Sequence, residues 1–190
     1  SCFAEVFGSA RFIENLPLLH FLTVAAPHKR WEQPPPRAAF MFADPDPHWP
    51  VCGFIVFADM ALRARRAGYH VAFATVPLDA WFVHAATTEV FHRHRDTLSL
   101  LIHGINHGKR ELALERDPGM TVSLLNQAIG RIEVLERKTG LQVARTMVPP
   151  HGACSEQTLR ALPACGFASA CISTGSLKAH NPAGAWTRTL

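Results

Sequence analysis

A chain of 190 residues, 48% apolar and 18% charged, can bury one sizeable globular core, which excludes a disordered or fibrous polypeptide. The formal charge of +4 is modest and scattered, as at Arg65-Arg66, so composition offers no basic stripe for a nucleic-acid partner. No apolar run approaches the ~20 residues that a membrane-spanning helix needs, so no membrane span is expected. The five cysteines form no Cys-x-x-Cys pair and leave one over, which suits free thiols in a reducing compartment better than a disulfide framework. With no visible secretory signal, a cytoplasmic location is the expectation. Eleven histidines add weight to metal or proton chemistry.

Residues 1–37 read as an N-terminal extension that ends in a proline-rich linker, Glu32 to Arg37, and residues 38–190 as the main domain. Within the extension, Phe12 to Val24 is apolar enough for a short helix followed by a strand. Ala38 to Ala43 is a first strand, stopped by Asp44-Pro45-Asp46-Pro47-His48-Trp49-Pro50, a stiff turn that carries two carboxylates and an imidazole. Val51 to Ala67 reads as a helix on the spacing of Phe54, Phe57, Ala58, Ala61 and Leu62, with arginines in the last turn and Gly68 as the stop. Tyr69 to Val76 is a second strand, followed by Asp79 and Trp81, and a helix runs from Ala85 to Arg95. Leu98 to His103 is a third strand. Thr121 to Lys138 is a helix whose stripe is Val122, Leu125, Ile129 and Ile132, with Gly140 closing it. Val143 to Val148 is a fourth strand, ended by Pro149-Pro150-His151-Gly152. Ser155 caps a short helix through Leu162, Phe167 to Ile172 is a fifth strand, and after Ser173 the pattern dissolves.

Strands alternate with helices, and the strands are continuous apolar runs, as in a parallel α/β sheet covered on both faces. In such folds the chemistry collects at the C-terminal strand ends. Asp44, Asp79, His103 with His107, and Pro149 to Gly152 all follow a strand. His103-Gly104-Ile105-Asn106-His107 is the sharpest of these patterns. The strand aims the first imidazole, and the glycine lets the chain turn so that the second reaches the same point, an arrangement that suits zinc. Two polar loop histidines would look the same on spacing alone. Asp44 from the first strand is the candidate third ligand.

Asp44 after strand one, the histidine pair after strand three and Pro150-His151-Gly152 after strand four together resemble the NodB-homology polysaccharide deacetylases, carbohydrate esterase family four. The resemblance spans roughly Arg37 to Ser173. It implies an irregular (β/α) barrel and one divalent cation, zinc by preference, held by Asp44, His103 and His107. It also implies a substrate-facing turn at Pro150, His151 and Gly152 whose backbone N–H helps hold the oxyanion. The chain departs from the family at three positions. The family's catalytic-base aspartate falls on Ala43, the arginine that orients that base falls on Val148, and the tyrosine of the turn falls on His151. The family's later histidine acid has no clear counterpart, since His180 lies in a stretch without strand pattern.

The expected activity is metal-dependent removal of acyl groups from N- or O-acylated saccharides, a hydrolysis of C–N bonds other than peptide bonds. Asp46 is the nearest remaining carboxylate for the base, with His151 or His48 as substitutes, and Trp49 or Trp81 could stack on a sugar ring. Cys154, near the same edge, is a soft ligand or a buried thiol. Two other readings stand beside this one: a deacetylase-like protein that binds metal or carbohydrate without hydrolysis, and a hydrolase of small non-sugar amides.

Overall fold

The protein is described from a computed structural model, which covers residues 39–79 and 82–180 and isolated positions at 17, 20, 21, 24 and 25. Arg37–Leu190 forms one compact unit and Ser1–Pro36 another. The reading of Phe12 to Val24 lies almost wholly outside the described residues, as does Trp81.

The strands are β1 (Ala39–Ala43), β2 (Val51–Cys52), β3 (Ile55–Val56), β4 (His70–Thr75), β5 (Leu98–His103), β6 (Val143–Val148) and β7 (Ser169–Ala170). The helices are α1 (Phe57–Ala67), α2 (Ala85–Arg93), α3 (Pro118–Thr139), α4 (Glu156–Ala161) and α5 (Thr174–His180). β1, β4, β5, β6 and β7 form one five-stranded sheet in that order, and every pairing within it is parallel. This is the parallel βα architecture expected, since parallel strands need a crossover between them and helices supply it.

Three features differ from the sequence reading. The stretch from Val51 opens as a small antiparallel hairpin, β2–β3, before α1 begins at Phe57. Gly53, at φ 59°, makes its turn, and Phe54 stands 89% exposed at the tip, so the helical spacing that included Phe54 is a coincidence of the hairpin. Among the described residues, the cover of the sheet is uneven. β4 and β5 are largely buried, but edge strand β1 leaves Phe40 and Met41 exposed. Beyond Ser173 the chain forms α5, whose first turn is anchored by the Ser173 hydroxyl accepting from the Ser176 amide at 3.1 Å. That cap is a single hydroxyl and leaves little trace in an apolar pattern.

The core lies between one sheet face and the helices. Phe57 from α1, Phe73 from β4 and Phe91 from α2 pack with ring centroids 4.9 to 5.8 Å apart. Truncating Phe73, fully buried at this junction, costs about 3–5 kcal/mol. α3 begins at Asp117, whose carboxylate accepts from the Gly119 and Met120 amides, and ends at Gly140 in the left-handed conformation. Its buried face is Thr121, Leu125, Ala128, Ile132 and Leu135, so Val122 and Ile129 flank the stripe rather than form it. Alanine hid this face from a reading based on large side chains.

The other sheet face carries a smaller cluster, Ala74, Leu101 and Val148. Side chains alternate along a strand, so His103 shares the face of Leu101. The register pairs Ala43 with Ala74 and His103 with Val148. Ala43, Ala74, His103 and Val148 therefore line one face at the C-terminal edge of the sheet.

Candidate metal centre

Asp44 is the first residue past β1. Its amide donates to the Ala74 carbonyl at 3.2 Å, and its φ of 76° turns the chain sharply. Asp and Asn tolerate this left-handed conformation better than other side chains do. His103 ends β5 with 2% exposure. His107, at φ 57°, follows a loop that opens at Gly104, φ 62°. A Cβ at Gly104 would sit 2.1 Å from Glu111 Oε1 and 2.6 Å from Pro150 Cγ, so the turn that brings the second imidazole back requires glycine for its space as well as its φ.

These turns bring three donors together. Asp44 Oδ1 lies 3.2 Å from His103 Nε2 and 2.9 Å from His107 Nε2, and the three ligand atoms fall within 4.8 Å of one another. The imidazole centroids of His103 and His107 are 5.0 Å apart. His103 Nδ1 lies 2.8 Å from the Val148 carbonyl oxygen. A carbonyl only accepts, so Nδ1 carries the hydrogen, and in a neutral ring Nε2 is then the bare nitrogen that faces Asp44. A lone pair facing a carboxylate oxygen at that distance is repulsive unless a cation or a proton lies between them. Two imidazole nitrogens and one carboxylate oxygen are the donor set of an open three-ligand zinc site, so the residues present fit a divalent cation.

The three side chains open onto a hollow of about 440 Å³, also lined by Met41, Ala43, His151, Gly152, Cys171 and Ser173. His151, at φ 59°, sets its ring centroid 5.6 Å from that of His107. The Gly152 amide donates to the Pro149 carbonyl at 2.8 Å, and a Cβ there would meet Ser173 Cβ at 2.7 Å. Pro150 is buried behind the turn, against Gly104. Burial raises the Cys171 thiol above its usual range, so the sulfur stays protonated at neutral pH. Cys154 is not in this lining. It is 4% exposed, and desolvation pushes its thiol up to about 11.

Asp46 does not line the hollow. Its Oδ1 accepts from Thr75 Oγ1 at 2.8 Å and from the Val76 amide at 3.1 Å, which ties the turn after β1 to the end of β4. Trp49, 67% exposed, lies in a separate hollow with His48, Phe82, Val83 and His84, its ring centroid 5.7 Å from that of His84. Asp79 closes a short 3₁₀ turn, Pro77–Asp79, after β4.

Glu111 carries no obvious motif, yet its carboxylate accepts from the amides of Ile105, Asn106, His107 and Gly108 at 2.7 to 3.2 Å. A signal existed in the accounting of backbone donors. A loop folded tightly between two ligands must satisfy several N–H groups, and Glu111 is the nearest carboxylate in sequence.

No family model matches the chain, and no curated protein does. Solved structures do match. The deacetylase domain of BpsB from Bordetella bronchiseptica aligns with a TM-score of 0.51 at 14% identity, over 80% of this chain and 69% of that one. The Streptococcus pyogenes deacetylase PplD in complex with acetate aligns at 0.49 and 13% identity, over 80% and 61%. A family 4 carbohydrate esterase from Streptomyces lividans, also with acetate, aligns at 0.46 and 15% identity, over 70% and 60%. The chain thus spans about 60% of the length of the last two structures. Its sheet, with the flanking helices and the strand-end site on one edge, has the fold of the NodB-type (β/α) barrels of the polysaccharide deacetylases, at a wide sequence distance from the solved examples.

Proposed function

We propose that this chain is a zinc-dependent hydrolase that removes acyl groups from N- or O-acylated saccharides. The observation that carries the reading is the approach of Asp44, His103 and His107 to one point at the mouth of an open hollow. The matched deacetylase domain of BpsB agrees with it in fold.

A cation held by these three residues supplies Lewis-acid polarisation of an acyl carbonyl and a more acidic water. The Asp44 carboxylate and the Nε2 atoms of His103 and His107 are the groups that would hold it. His151 faces the same hollow and serves as the base in preference to Asp46, whose oxygen is engaged by Thr75 and Val76. It takes the proton of the attacking water and returns it to the departing amine or alkoxide as the C–N or C–O bond breaks. The products are a short carboxylate and a free amine or hydroxyl. The Gly152 amide is spent on Pro149, which leaves the His151 amide as the turn's donor to the oxyanion. In this reading the exposed Trp49, in its separate hollow, stacks on further sugar units.

A second reading has its own support: a protein that holds metal or carbohydrate without turnover. Ala43 and Val148 occupy the positions where the family carries its base and the arginine that orients it. Acetate release from N-acetylated chito-oligosaccharides separates the two. Release by the zinc-loaded protein that falls at least about 100-fold in His151→Ala supports hydrolysis with His151 as base. Full zinc occupancy with no release from acetylated sugars or small cyclic amides supports the binding reading.

A further inference from the structure

We propose that Glu111 is the positioning residue of the metal centre: its carboxylate moulds the loop that carries His107 and so sets how tightly the cation is held. The inference rests on the metal reading above. Four consecutive amides converge on one side chain. Ile105 and His107 donate to Oε1 at 2.7 and 3.2 Å, and Asn106 and Gly108 donate to Oε2 at 3.1 Å each. Successive N–H groups that turn inward make an anion-binding concavity, and here the anion is the chain's own side chain. Glu111 is 9% exposed, so water does not compete for those donors.

The two histidines differ in what holds them. His103 belongs to β5 and is fixed by strand pairing and by Val148. His107 has no regular element beneath it and sits at φ 57°, a conformation histidine seldom adopts. Only the surrounding contacts keep it there. The outer side of the loop is held by Arg131, which donates to the Ile105 carbonyl at 3.2 Å and to Asn106 Oδ1 at 2.6 Å. Arg116 donates to the carbonyl of Glu111 itself. The inner side depends on the Glu111 carboxylate. Without it four amides lose their acceptor together, the loop opens, and the ligand set falls from three to two. The steric fit of Gly104 against Glu111 Oε1 shows how closely the loop is cast around this group.

Glu111→Gln tests the idea, because the amide nitrogen would face two N–H donors where an oxygen stood. Three quantities are compared in wild type, Glu111→Gln and His107→Ala: amide hydrogen exchange at residues 105–108 in the metal-free proteins, zinc affinity against a chromophoric chelator, and the absorption spectrum of the cobalt(II) form. The expected result for Glu111→Gln is fast exchange confined to 105–108, zinc affinity weaker by about 10- to 100-fold, and an altered cobalt spectrum. Wild-type affinity and spectrum in Glu111→Gln, with zinc lost in His107→Ala, would overturn this inference and leave the metal reading standing. A wild type that takes up no zinc would end the metal reading and the inference with it. If Glu111→Gln does not fold, Glu111→Asp is measured in the same way. Loss of fold in both variants also overturns the inference, since the carboxylate would then support the domain rather than the loop.

Discussion

The Nδ1 atom of His103 lies 2.8 Å from the carbonyl oxygen of Val148. This contact joins the ends of two neighbouring parallel strands and fixes which ring nitrogen is free. It predicts that ¹⁵N NMR of the metal-free protein, at a pH where the ring is neutral, shows His103 protonated on Nδ1 and bare on Nε2. The opposite tautomer would mean that the ring does not offer Nε2 to a cation.

Asp44 tests the carboxylate without disturbing the turn. Its φ of 76° suits asparagine almost as well, so Asp44→Asn keeps the backbone while removing the negative charge. Zinc affinity should fall by more than about 100-fold, beyond the usual loss for residues that only support a ligand. Circular dichroism should be unchanged. Undiminished affinity in a folded Asp44→Asn would remove Asp44 from the ligand set.

Ala43 is exposed and lines the hollow beside Asp44. A carboxylate placed there meets open space and stands where the resemblance puts the general base. Ala43→Asp should raise deacetylation by about 10²- to 10⁴-fold if proton abstraction limits the rate. An unchanged rate, with zinc still bound, would show that a carboxylate at this position does not improve on His151 as the base.

Gly104→Ala combines a positive φ with a Cβ 2.1 Å from Glu111 Oε1 and 2.6 Å from Pro150 Cγ. The strain and the clash together should cost roughly 2–5 kcal/mol of stability. Zinc affinity should fall with it, because the loop between the ligands must shift. Denaturant titration and zinc competition read the two effects, and a variant as stable as wild type would contradict the close fit.

Glu136 and Arg145 form a bidentate pair at 2.8 and 3.0 Å, remote from the metal centre. Burial alone would raise the Glu136 pKa. The hydrogen bond from Arg145, the Val143 amide and the Arg145 charge outweigh it and hold the pKa below the ordinary 4.5. A carboxylate depressed on folding adds stability above its unfolded pKa and loses it as pH falls through the folded one. Wild type should therefore lose stability more steeply than Glu136→Gln below about pH 4.5, and be the more stable at neutral pH by about 0.5–1 kcal/mol, the discounted worth of a partly exposed pair. Parallel acid profiles for the two proteins would contradict this.

Four strands of the sheet were legible because they are largely apolar runs of five or six residues bounded by glycine and proline, and β5 and β6 fall where the pattern places them, whereas β7 is only Ser169–Ala170 within the expected Phe167 to Ile172. The approach of Asp44, His103 and His107 was legible because Asp44 and His103 stand at strand ends on one edge of the sheet and Gly104 lets the chain turn back to His107. What the sequence hid was local and made by the backbone. Gly53 turns a hairpin inside an apparent helix, and the buried face of α3 includes Ala128, which carries too little hydrophobicity to reveal it. The engagement of Asp46 with Thr75 and Val76 is a contact across about thirty residues, which no spacing reports. Glu111 was hidden for a related reason, since its role depends on where four amides point.

The claim beneath all of this is that one carboxylate and two imidazoles grip a single cation. Zinc content after equilibrium dialysis, in wild type beside His103→Ala and His107→Ala, tests it most directly. The account predicts one zinc per chain in wild type and a loss of most of it in either variant. Equal zinc in all three proteins would contradict it.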